Sequence, residues 1–164
     1  MSRFLVERYA VGGPLLAYAT AELKPEHAIA RPGPGSWSLA ELVAHLLDCD
    51  LVFAERIKRV IAEDNPILQA FEENAWIDRL DSHAMPVEEG VNLFVANRHW
   101  MTRILRSRPD EDFARTGRHT EVGLMTLADI IAKASAHLDH HLRFAYAKRG
   151  NLGTAIPPKY APVP

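Results

Sequence analysis

The chain has 164 residues, 48% hydrophobic and 24% charged, with a formal net charge of -2. That balance fits one soluble domain of ordinary size and gives no electrostatic attraction for nucleic acid or acidic membranes. Cys49 is the only cysteine, so an intrachain disulfide is excluded.

The opening segment, MSRFLVERYAVGGP, carries Glu7 and Arg8 where a signal peptide needs an unbroken apolar core, and no apolar run approaches the ~20 residues of a membrane span. A cytoplasmic location is the expectation, in keeping with the lone thiol. Gly12-Gly13-Pro14 reads as a break that restarts the chain as a helix from about Pro14 to Leu23. KPEHAIARPGPGSWS then holds three prolines and two glycines, a surface connection. It ends in a helix start, because Ser38 and Glu41 have the spacing of a capping box.

Leu39, Leu42, Val43, Leu46, Phe53, Ile57, Val60 and Ile61 recur at spacings of three, four and seven, predicting a long amphipathic helix that ends near Asp64-Asn65-Pro66. The pattern loosens between Ile67 and Met85, where short helical turns are expected. Pro86 opens a third helix that keeps Val87, Val91, Phe94, Met101 and Leu105 on one face until Arg108. Residues 109–125 form a long connection. Thr126 and Asp129 make a second start signal, and the apolar stripe continues to about Arg149. No segment alternates as a strand does, so the expectation is an all-α four-helix bundle with long crossovers, one domain over residues 1–164 with an extended, proline-rich tail over 150–164.

The last helix contains SAHLDHHLRF. At about 100° per residue, His137 and His141 leave one face of a helix one turn apart, and that face is the apolar stripe, whereas His140 falls about 60° to the other side of His137, at a flank. An H-x-x-x-H pair can hold one metal ion. It is equally compatible with two histidines at the core edge, hydrogen-bonded to carboxylates or backbone. His45, at the edge of the apolar face of the second helix, would complete a three-histidine set with open positions, a donor set suited to zinc, nickel, copper or ferrous iron. Asp48, one turn on, is placed either to orient a ligand histidine or to lie solvated. Cys49 reads as a small buried hydrophobe rather than a fourth ligand. His119, in the connection before the last helix, either approaches this pocket or stays in solvent.

Trp37-Ser38-x-x-Glu41-x-x-x-His45-Leu46-x-Asp48, followed late in the chain by His137-x-x-His140-His141, resembles the DinB/YfiT-like superfamily of metal-dependent proteins, over about Gly13 to Arg149. The resemblance implies a four-helix bundle with a long crossover, homodimers, and a divalent metal, nickel or zinc in many members, held by residues corresponding to His45, His137 and His141. It further implies, for relatives of known activity, a thiol-dependent transferase or isomerase in which the metal activates a low-molecular-weight thiol. No motif for a particular thiol is visible here.

Arg98 lies in the apolar stripe of the third helix and needs a carboxylate, for which Asp50 is the candidate. Trp37 reads as a hydrophobic staple on the helix start. No G-x-S-x-G, C-x-x-C or glycine-rich phosphate loop occurs. The sequence therefore points to a metal-dependent enzyme that activates water or a small thiol. The competing reading is a non-catalytic metal-binding or stress-response protein acting as a dimer.

Overall fold

A computed structural model describes residues 2–33 and 35–162. One residue of the proline-glycine connection and the last two of the expected tail lie outside the described residues. Four helical columns form the bundle: α1 (Ser2–Ala10) continued by α2 (Gly12–Thr20), α4 (Leu39–Ala62), α6 (Val87–Arg106) and α7 (Leu127–Asn151). A short helix α3 (Pro25–Ile29) lies in the first connection. The crossover from α4 to α6 contains β1 (Ile67–Leu68), α5 (Glu73–Arg79) and a 3-10 turn at Ser82–Ala84. The one from α6 to α7 contains a 3-10 turn at Asp110–Ala114, β2 (Thr116–His119) and β3 (Gly123–Thr126).

Both expected capping boxes form. Ser38 Oγ accepts from Glu41 N at 3.2 Å while Glu41 accepts from Ser38 N at 2.7 Å, and Thr126 and Asp129 repeat the exchange at the start of α7. These bonds satisfy N–H groups that a helix start otherwise leaves open. α6 has no such cap; it follows Pro86, carries Glu88 and Glu89 in its first turn and Arg103 and Arg106 in its last, matching charge to the helix dipole at both ends.

The N-terminus differs from the expectation. Residues before Gly12 are helical, with Val6 and Tyr9 buried in the core, and Gly12 and Gly13 lie within helix rather than in a break. The glycines serve close approach. A Cβ at Gly12 would stand 2.8 Å from Leu138 Cδ2 and 2.9 Å from Arg98 Nη1. Pro14 sits within the first turn of α2, where its missing N–H costs nothing.

The second difference is a three-stranded sheet of order β1-β2-β3, with β1 parallel to β2 and β2 antiparallel to β3. The strands are two to four residues long. In Thr116-Gly117-Arg118-His119 the buried positions are Gly117 and His119, so burial alternates while hydrophobicity does not. The tail is extended as expected but begins after Asn151, and it is docked: Tyr146 Oη donates to Lys159 O and accepts from Lys159 N, and Tyr18 Oη donates to Pro157 O.

The core divides into two apolar clusters, one around Tyr9, Phe53, Ile57, Met101 and Ile130, the other around Leu16, Leu42, Leu46, Phe94 and Leu142. Arg98 and Asp50 are both buried, and the Arg98 guanidinium lies over Tyr9 of the first cluster and Phe94 of the second. Arg98 Nε donates to Asp50 Oδ1 at 2.5 Å, Nη1 to Tyr9 O at 3.1 Å and Nη2 to Ala134 O at 3.2 Å, while Asn97 Nδ2 donates to Asp50 Oδ2 at 2.7 Å. The guanidinium also lies 3.9 Å from the centroid of the Tyr9 ring. This one ion pair ties α1, α4, α6 and α7 together.

Candidate metal centre

α4 and α7 pack side by side and bring His45, His137 and His141 to one point. His45 Nε2 stands 3.2 Å from His137 Nε2 and 3.1 Å from His141 Nε2. Nitrogens about 2.0–2.1 Å from a shared tetrahedral ion would be roughly 3.3–3.4 Å apart, close to this spacing. His45 is buried and the other two are half-buried. Burial depresses the imidazole of His45 to about 4 and those of His137 and His141 to about 4 and about 3, with the neighbouring histidines adding to the effect on the α7 pair. All three rings are therefore neutral at pH 7.

A neutral imidazole has one N–H and one lone pair. Each of the three rings carries its own proton on Nδ1 or Nε2, so the converging nitrogens either donate to one another or, with the protons on Nδ1, turn their lone pairs to one shared point. A cation at the centre satisfies them together, so the donor set fits a divalent metal. Zinc and nickel suit three nitrogens; iron and copper are also compatible.

The surroundings hold these rings in place. Trp37, expected as a staple on the start of α4, packs against the histidines: its ring lies 5.0 Å from that of His45 and stacks at 6.5 Å, interplanar angle 13°, on His141. Lys148 Nζ donates to Trp37 O, which fastens the segment to α7. Phe53 packs edge-on against His137 with ring centroids 6.0 Å apart.

Two further groups approach from α4 and α5. Glu73 Oε2 lies 3.9 Å from His45 Nε2, and Cys49 Sγ is 3.7 Å from the same nitrogen. One donor atom from each of His45, Cys49, Glu73 and His137 falls within 4.8 Å of the others, a second grouping that omits His141. His45 Nε2 is nearer to His137 Nε2 and His141 Nε2 than to Cys49 Sγ or Glu73 Oε2. Burial, reinforced by Glu73 and the aspartates nearby, pushes the Cys49 thiol far up, so with no cation beside it the thiol stays protonated. Glu73 is half-exposed and stands on the solvent side.

The remaining expected residues separate. His140 is exposed, and its ring packs edge-on with those of His141 and Phe144. Asp48 is half-buried, its carboxyl raised by burial, and lines a groove with Val43, Leu80 and Gly90 rather than the histidine cluster. His119 is buried, not solvated, and lines a cleft of about 120 Å³ together with His137, Cys49, Glu73 and Arg56.

Glu73 and Arg56 were not among the residues read from the sequence. Glu73 sits in the stretch without periodicity. Arg56 did leave a signal, because eleven residues after His45 it returns to within about 20° of the same helix face.

Residues 13–145 match the profile of the DinB superfamily, and the chain belongs to that superfamily. A protein of Oceanobacillus iheyensis named "putative metal-dependent hydrolase" is 28% identical over 129 residues, 78% of this chain and 74% of its own length. A Bacillus cereus protein of the same name is 31% identical over 119 residues, 72% of this chain and 68% of its own. Another such protein, from Halalkalibacterium halodurans, is 27% identical over 65% of this chain, and the matched stretch spans only 62% of its length. The fold superposes on YfiT from Bacillus subtilis, described as "a probable metal-dependent hydrolase with an unusual four-helix bundle topology", with a TM-score of 0.85, 20% identity, and coverage of 93% of this chain and 87% of that one. Among the described residues no helix is long and apolar enough to cross a membrane.

Proposed function

We propose that the protein is a metal-dependent enzyme of the hydrolase type, with a divalent ion held by His45, His137 and His141. The observation that carries this reading is the approach of His45 Nε2 to both His137 Nε2 and His141 Nε2 within 3.2 Å, by rings that burial keeps unprotonated. The names of the relatives point the same way. A metal so held acts as a Lewis acid and lowers the pKa of water or of a thiol bound to it. The three imidazoles supply only neutral nitrogens, so the full charge of the ion is retained for that purpose. Glu73 Oε2 is the nearest carboxylate oxygen on the exposed side and is placed to accept a proton from the attacking nucleophile. Trp37 and Phe53 exclude water from the flanks of His45, His141 and His137. A homodimer, as the resemblance implies, is part of this reading, and light scattering at twice the mass of one chain checks it.

The test is turnover of a panel of simple aryl esters and amides, with and without glutathione, mycothiol or bacillithiol, by protein loaded with zinc or nickel. Activity that chelation removes, that His141→Ala abolishes and that Glu73→Gln lowers about 10²–10⁴-fold supports the reading. Activity only when a thiol is present assigns the nucleophile to the thiol. A loaded protein that turns over nothing in the panel leaves a non-catalytic binding protein as the better description.

A further inference from the structure

The cleft beside His137 contains cationic groups that metal binding does not use. Arg56 is 7% exposed and lines it with His119, Lys133, Glu73, Glu121, Ala70 and Phe71. A buried guanidinium is normally paired with a carboxylate, as Arg98 is with Asp50. Among the described residues Arg56 has no carboxylate within 4.0 Å: Nη2 donates to Gln69 O at 2.6 Å, Nε is buried with no acceptor, the guanidinium lies 5.8 Å from the centroid of the Phe53 ring, and Glu55, Glu73 and Glu121 act on its charge only from farther off. His119 lines the same space. Its Nδ1 accepts from Glu121 N and Val122 N at 3.2 and 3.4 Å, so in the neutral ring the proton resides on Nε2. Lys133, one turn before His137 on α7, adds an exposed ammonium.

Resting on the metal-enzyme reading above, we propose that this cleft is a carboxylate-binding subsite: Arg56, with Lys133 and His119, holds the anionic group of a small carboxylate-bearing substrate whose reacting group lies at the three histidines. The Cα of Arg56 is about 16 Å along α4 from that of His45 at helical rise, so even with the guanidinium reaching back, the substrate's two functional groups are several bonds apart. Glu73 and Glu121, both exposed at the same cleft, select a monoanion over a phosphate dianion, because each added negative charge on the ligand meets theirs. The volume of about 120 Å³ admits a carboxylate with a short chain and little more.

The probe is butyrate, titrated by NMR into chelated and zinc-loaded full-length protein, with neutral butyramide and inorganic phosphate as controls. Saturable butyrate binding in both preparations, with butyramide and phosphate much weaker, is expected. Arg56→Gln should weaken it roughly ten- to a hundredfold, the loss of one charge-assisted contact. Lys133→Ala, at an exposed position whose loss leaves the core intact, should weaken it several-fold even if Arg56→Gln proves unstable. Binding that survives both substitutions, that butyramide or phosphate equals, or that occurs only with zinc overturns the subsite. If the protein takes up no zinc yet binds butyrate through Arg56, the subsite stands and the metal reading falls.

Discussion

Two polar clusters are buried along α4 and α7, and they are built on opposite terms. At mid-bundle, Arg98 is answered by Asp50 and by two backbone carbonyls, and Asp50 is answered in turn by Asn97. One turn or so away, His45, His137 and His141 aim nitrogen at nitrogen without a countercharge between them. The first network closes on itself and joins four helices. On the proposed reading, the second is completed by a cation from outside. Burial of a polar group therefore does not by itself mark a functional site; donor atoms that converge on one point without a charged partner are the stronger mark.

That contrast can be broken by substitution. The largest effect belongs to the closed network: Asp50→Asn leaves Arg98 charged and unanswered in the core and should cost about 3–5 kcal/mol in denaturant unfolding. Replacing both partners together, Asp50→Leu with Arg98→Met, should recover most of the loss; if it does not, the pair does more than hold helices together. Gly12→Ala, which crowds the Arg98 guanidinium and Leu138, should cost roughly 1–3 kcal/mol in the same assay. Ser38→Ala removes half of the capping box one helical turn from Leu42 and should cost about 1 kcal/mol, leaving the histidine geometry in place.

The smallest stability change at neutral pH belongs to the open cluster. In chelated protein, His141→Ala removes a half-buried ring that stacks on Trp37 and makes one nitrogen contact with His45, and should shift stability by less than about 1 kcal/mol. Acid enlarges the difference. The folded rings have pKa values of about 3 to 4 against 6.5 when unfolded, so the unfolded chain binds more protons below pH 6.5. These rings should therefore cost chelated wild-type protein stability as pH falls from about 6.5 to about 3. The His141→Ala variant should fall less steeply, read from denaturation midpoints across that range. An equal slope in both would mean that the ring is not held neutral by its surroundings.

Much of this was legible in the sequence, for reasons that differ by region. The capping boxes at Ser38 and Thr126 and the apolar stripes of α4 and α7 are local signals, and the structure follows them to within two residues. The convergence of three histidines followed from the same periodicity, since a residue's face is fixed once its helix is. Gly12-Gly13-Pro14 misled because the pattern for a break is also the pattern for close helix contact followed by a first-turn proline. The strand His119 closes, and the position of Glu73, depend on pairings between distant segments of the crossovers, and short strands with Gly and Arg in them leave no alternation to read. Arg56 lay on the right face all along, hidden by the ordinary expectation that an arginine on a long helix is solvated.

The central claim is that the open cluster is a metal site, and metal content measures it directly. Protein dialysed against zinc or nickel and then freed of unbound ion should carry a single ion per chain by elemental analysis, and the His137→Ala, His141→Ala double variant, still folded by circular dichroism, should carry none. Undiminished metal in the folded double variant would contradict the account.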